Sequence, residues 1–216
     1  MKKIIKYLFL LTGGSFILAS CNDFLDREPL DSVTPDNFFF TENDLAAYAV
    51  KHYNFTTHEG FNAGIWKNDN ATDNQAATDY DKKWIPGQWK VPEAYDNPAS
   101  NDPWYFSAIR EANYFLETVV PRFEKGEIEG SETNIKHYIG EMYFLRAKNY
   151  LSKVETFGDF PIIKNTLPDE SESLIQASKR APRYKVAHFI LEDLDQAISL
   201  LTNNISGGKN RITKNA

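Results

Sequence analysis

The sequence predicts an all-α protein, a helical-repeat scaffold carrying long irregular loops. Three observations predict it. Apolar residues recur in steps of three and four over separate stretches, the longest running from Ile135 to Val154. Residues that start or stop helices bracket these stretches: Thr41, Asp102-Pro103, Ser131 and Pro182 at the starts, Gly158 and Pro161 after the longest. Between the first stretch and the second, Phe55 to Asn101 has no helical period, and nearly fifty residues is longer than an idle connection needs. With 216 residues and a hydrophobic fraction of 42%, one domain with a sizeable core is the default.

In chain order, residues 1–20 read as a targeting segment. Lys2, Lys3 and Lys6 precede the apolar run Tyr7 to Leu18, which is too short for a comfortable membrane span. Leu18-Ala19-Ser20-Cys21 resembles the bacterial lipobox, and Cys21 is the single cysteine of the chain. In that class the cysteine is diacylated on sulfur and becomes the new N-terminus. Two or more acyl chains then give stable anchoring. Residues 21–40 follow as a polar, proline-bearing tether, with Phe24 and Leu25 as the pair that packs this arm on the body. Residues 41–216 are expected to form the helical domain.

The first helix is expected over Glu42 to Tyr53, with Thr41 as N-cap, Asp44 closing a capping box and Phe40 with Leu45 as a hydrophobic staple. Leu45, Tyr48, Ala49 and His52 share one face, with His52 as a packed side chain. The second helix is expected to open at Asp102-Pro103 and to end or kink at Pro121. Its inner face is Trp104, Ala108, Ala112, Phe115, Leu116 and Val119. Ser131 caps the third, whose face is Ile135, Tyr138, Ile139, Met142, Leu145, Leu151 and Val154, with Ala147 small enough to admit a neighbouring helix. Phe160 to Pro182 reads as a second loop. The fourth helix runs to about Leu201, with Val186, Phe189, Ile190, Leu194, Ala197, Ile198 and Leu201 inward. Arg211 to Ala216 looks like the start of another helix.

Glu141-x-x-Phe144-Leu145-Arg146-Ala147-x-x-Tyr150, followed by Gly158-Asp159-x-Pro161, resembles the core signature of the SusD/RagB family. Cys21, Asp23, Phe24, Leu25, Asp26 and Pro29 are similar to mature N-termini of that family, and Asp193-Leu194-x-x-Ala197 is similar to another of its phrases. The resemblance runs from Cys21 to Ala216, with Asn215 a small departure where a small residue is commoner. It implies a tetratricopeptide-like scaffold and an outer-membrane lipoprotein that captures a glycan without cutting it. The implied partner is a SusC-like TonB-dependent transporter, covered by this protein as a lid. Separate enzymes would cut the polysaccharide. It also implies that the chain is the N-terminal portion of a longer protein.

The chemistry of the residues agrees with binding. Net charge is −6, and −9 once the three leader lysines are removed, which argues against nucleic acid and anionic lipid. There is no Gly-x-Ser-x-Gly, phosphate loop, Gly-x-Gly-x-x-Gly or His-Glu-x-x-His. Asp69 to Asp73 resembles a calcium loop only faintly, without the glycine and the later glutamate, so no metal or cofactor is expected. Three of the four tryptophans lie in the aperiodic segment, beside a run of Asn and Asp. A sugar ring has an apolar C–H face and a rim of hydroxyls, so flat aromatics and short polar side chains suit it. Trp66, Tyr80 and Trp84 are the stacking candidates, with Asp69, Asp73 and Asn74 as polar partners; Thr72-Asp73-Asn74 also resembles a phrase of some relatives. Trp104 is assigned to the helix core. Two rivals stay open: a surface glycosidase using loop carboxylates, and a helical protein–protein adaptor. A truncated copy with an incomplete site is a further possibility.

Overall fold

The computed structural model describes residues 38–53, 85–88, 90–93, 102–205 and 210–216. They hold five helices: α1 Glu42–Lys51, α2 Ser107–Lys125, α3 Glu132–Phe157, α4 Ser171–Ala177 and α5 Arg183–Leu200. Among the described residues there is no strand, only the isolated bridges Thr41–Glu129 and Phe160–Ala181. The all-α expectation therefore holds, and the central helix is the long one read from the sequence. α3 is the axis, with α1, α2 and α5 packed on it. Among the described residues, no helix is long and apolar enough to cross a membrane.

α1 starts as expected. The Asp44 N–H donates to Thr41 Oγ1 at 3.3 Å, and Asp44 Oδ2 accepts from the Thr41 N–H at 3.0 Å, which completes the capping box. The helix ends at Lys51, two residues before the expected Tyr53, with His52 as its C-cap. Phe40 stays 41% exposed under the Arg122 guanidinium, 4.2 Å from its ring centre. Phe39 is the fully buried aromatic instead, reached through a left-handed backbone at φ 70°.

α2 departs from the expectation at both ends. Asp102 does not cap it. The Asp102 carboxylate accepts the Trp104 N–H at 2.8 Å and closes a turn, and the helix opens five residues later at Ser107. Ile109, not Ala108, takes the inner position. Pro121 neither ends the helix nor starts a loop; it forgoes one backbone hydrogen bond near the last turn. Gly126, left-handed at φ 71°, is the stop, and its N–H reaches the Phe123 carbonyl at 3.0 Å. The turn into α3 is sealed by Glu42, whose Oε2 accepts the Ser131 N–H at 2.7 Å. A Cβ on Gly130 would lie 2.7 Å from that side chain, at φ 135°, so only glycine fits.

Two apolar clusters line α3. The first joins Ile135, Tyr138, Ile139, Met142 and Leu145 to Leu45, Tyr48 and Ala49 of α1, to Phe115 and Val119 of α2, and to Leu201, Ile205 and Ile212. The second joins Ala147, Tyr150 and Phe157 to Ile109, Phe160, Val186, Phe189 and Ile190. Ala147 thus admits α5, as expected. Gly140 does so as well: a Cβ there would lie 3.1 Å from Leu200 and Leu201 side-chain atoms. Leu151 and Ile198 were expected inward but are 48% and 47% exposed, because helical drift carries them off the core stripe. The second loop contains α4, and residues 210–216 form a short turn, not a helix start.

Candidate ligand site

The signature residues are scaffold. Glu141 is fully buried and takes four hydrogen bonds. Its Oε1 accepts from Tyr53 Oη at 2.7 Å, His137 Nε2 at 3.0 Å and Arg211 Nε at 2.8 Å, while Oε2 accepts from Arg211 Nη2 at 2.5 Å. His137 Nδ1 accepts the Thr202 N–H at 3.1 Å, so the ring proton is the one on Nε2 that faces Glu141. Burial would push the Glu141 carboxyl up, but the hydrogen bonds from His137, Arg211 and Tyr53 hold it below its ordinary value. Tyr53 hydroxyl also accepts the Ile212 N–H at 2.9 Å. One carboxylate thereby pins Tyr53, two residues before the aperiodic segment begins.

Arg146 plays the matching part between the two clusters. Its Nε and Nη2 grip Asp193 of α5 at 2.7 Å each, and Nη1 donates to Asn113 Oδ1 of α2 at 2.9 Å. Asn113 passes the link to the Ile163 carbonyl at 2.9 Å. The Tyr150 hydroxyl donates to the Ile163 carbonyl at 3.0 Å and accepts the Ile163 N–H at 2.8 Å. Asp159 accepts the Arg183 N–H at the start of α5, 2.8 Å away. The buried members, Glu141, Arg146, Asn113 and Tyr150, are all bonded within the protein, which turns them away from a ligand.

The space open to a ligand lies elsewhere. A cleft of about 420 Å³ is floored by Lys148, Asn149, Ser152 and Lys153 of α3. Its walls are Lys51 and His52 at the end of α1, Asp102 and Tyr105 before α2, and Ser107 and Glu111 of α2. The two roots of the aromatic-rich segment, His52 on one side and Asp102 on the other, both stand on this cleft. Glu111 Oε1 accepts from Ser107 Oγ at 2.8 Å and Oε2 accepts from Lys51 Nζ at 3.2 Å. Burial pushes Glu111 up, but these two bonds and the nearby His52 bring it below its ordinary value. Burial also lowers the Lys153 amine, which donates to the Pro103 carbonyl, with Asp102 offsetting part of that. His52 Nε2 is buried 3.4 Å from Glu111 Oε2 and makes no hydrogen bond. Burial keeps that ring below its ordinary pKa against the pull of Glu111.

A second cavity, about 340 Å³, is almost wholly apolar, with Trp104, Phe106, Ile109, Pro161, Ile163 and Leu174 among its walls. Trp104 packs against the second cluster as expected, its ring 4.0 Å from Phe157 centre to centre, and it is half-buried at the cavity edge. Its Nε1 donates to the Pro92 carbonyl at 2.8 Å, which ties the aperiodic segment down at a third point.

Cys21, Trp66, Asp69, Asp73, Asn74, Tyr80 and Trp84 all lie outside the described residues. Among the described residues no group of three or more His, Cys, Asp or Glu could hold a metal. Sequence reasoning missed the cleft. Its only trace is that Lys148, Asn149, Ser152 and Lys153 recur at helical spacing beside the apolar stripe.

A family model described as SusD-like, starch-binding and associating with the outer membrane, matches residues 23–216. SusD-like protein P2 of Formosa agariphila is 26% identical over 186 residues, covering 83% of this chain and 35% of that protein. SusD-like protein P38 of the same organism is 27% identical over 203 residues, covering 92% and 37%. The crystal structure of a SusD-like protein from Bacteroides fragilis superposes with a TM-score of 0.56 at 26% identity, covering 87% of this chain and 35% of that one. The chain spans little more than a third of the length of these relatives. With nearly its whole length matched by the family model, and a helical frame like that of a solved member, the chain belongs to the SusD-like family.

Proposed function

We propose that this protein binds an oligosaccharide at the outer membrane and passes it to a SusC-like TonB-dependent transporter, without cleaving it. Residues 1–20 act as the lipoprotein signal peptide, Cys21 carries the lipid anchor, residues 21–40 form the arm and residues 41–216 the binding domain. Trp66, Tyr80 and Trp84 stack on sugar rings, and Asp69, Asp73 and Asn74 bind hydroxyls. One observation carries the reading: the segment richest in tryptophan and short polar side chains is rooted at both ends on the open cleft of a family described as starch-binding. Loops mounted on a rigid frame are where binding residues concentrate.

Titrating the protein with malto-oligosaccharides, following tryptophan fluorescence and assaying each mixture for new reducing ends, tests this. The expected result is a saturable fluorescence change with no product. Product release would move the protein to the glycosidase reading, and a silent titration across neutral glycans would favour the adaptor. The anchor is tested separately by palmitate labelling, which Cys21→Ser is expected to abolish.

A further inference from the structure

Resting on the oligosaccharide reading, we propose that the cleft floored by α3 is a subsite for one neutral, hydroxyl-rich sugar residue, held by Tyr105, Asn149 and Ser152. α1 has 10 residues and α3 has 26, so α1 covers only the first part of α3 and stops at Lys51. Beyond that point no other described helix lies over this face, and α3 lines the cleft with polar side chains. The resulting volume of about 420 Å³ falls within the range of small-molecule sites, roughly 300–1,000 Å³.

The lining selects a neutral ligand. Glu111 is held by Lys51 and Ser107, Asp102 accepts the Trp104 N–H, and the Lys153 amine is spent on the Pro103 carbonyl. Lys148 is also engaged. An incoming carboxylate or sulfate would compete with Glu111 and the Pro103 carbonyl for these amines. The polar side chains with capacity left and no ionic partner among the described residues are uncharged. The hydroxyls of Tyr105 and Ser152 make no hydrogen bond to another described residue. Asn149 donates its amide N–H to the Leu145 carbonyl at 2.8 Å, and its Oδ1 has no partner among the described residues. The two hydroxyls can give and take hydrogen bonds with sugar hydroxyls, and the amide oxygen can accept them. Tyr105 is 44% exposed, and its ring offers a flat face for the C–H side of a pyranose. His52 stays neutral and sits behind Glu111, so it adds no charge.

Calorimetric titration of the full chain in detergent tests the subsite, with maltoheptaose and laminarihexaose as neutral probes and oligogalacturonate as the acidic one. The variants are Tyr105→Ala, the pair Asn149→Ala with Ser152→Ala, and Trp84→Ala as a reference, each checked by its melting temperature. If a variant melts early, Tyr105→Phe or Asn149→Asp replaces it. The proposal expects a neutral probe to bind and the cleft variants to weaken it about tenfold, in line with two lost hydrogen bonds. Unchanged affinity in the cleft variants, with loss in Trp84→Ala, overturns the subsite and leaves the oligosaccharide reading standing. Binding of the acidic probe alone overturns the neutral class. No binding of any probe by the wild type overturns both.

Discussion

Glu141 and Arg146 show how a charge survives burial. Each is enclosed, and each is bonded to fixed partners, most of them outside its own helix. Removing one partner strands the other. Arg146→Ala leaves Asp193 buried and unpaired, and urea unfolding is expected to show a loss of about 3–5 kcal/mol. Adding Asp193→Leu to Arg146→Met is expected to recover much of that loss. Glu141 makes a prediction in pH. Its folded-state pKa lies below the ordinary 4.5. Its stabilising contribution is therefore present above that value and lost as pH falls through the folded pKa. Wild-type stability should drop more steeply than that of Glu141→Gln as pH falls below the ordinary 4.5, by the same linkage. Parallel curves in urea would show that Glu141 is not the group responsible.

At the scale of elements, α3 and α5 cross where Gly140 meets Leu200 and Leu201. Gly140→Val would force that contact apart and is expected to lower stability by about 1–3 kcal/mol, read from chemical denaturation. The same scale shows what the sequence could reveal. α1, α3 and α5 were legible because their apolar residues repeat at the helical period and Thr41, Ser131 and Pro182 mark their starts, although of the three only Thr41 makes a side-chain cap. The α2 start was not, since Asp102-Pro103 offers the same local chemistry to a turn as to a helix cap. Leu151 and Ile198 have the right type and the wrong angle, which period counting over a long helix blurs. Asp193 and Asn113 are buried polar residues bonded to Arg146, and a partner 33 or 47 positions away leaves no local trace. The cleft was hidden for the opposite reason: Asn149 and Ser152 look like any exposed helix surface until α1 proves too short to cover them.

For the molecule as a whole, stability and binding are divided between parts. The family signature builds the frame: Glu141, Arg146, Tyr150 and Asp159 tie α2, α3, α5 and the residue at the root of the aromatic segment into one body. The proposed ligand groups are other residues: those of the aromatic-rich segment, and the polar side chains that line the cleft between its roots. The division is tested most directly by titrating wild type and Trp84→Ala with the same neutral oligosaccharide and measuring both melting temperatures. The account predicts at least an approximately tenfold loss of affinity, the scale of a lost stacking anchor, with melting unchanged. Equal affinity in the two proteins, or a variant that melts early because Trp84 belongs to the packed frame, would contradict it.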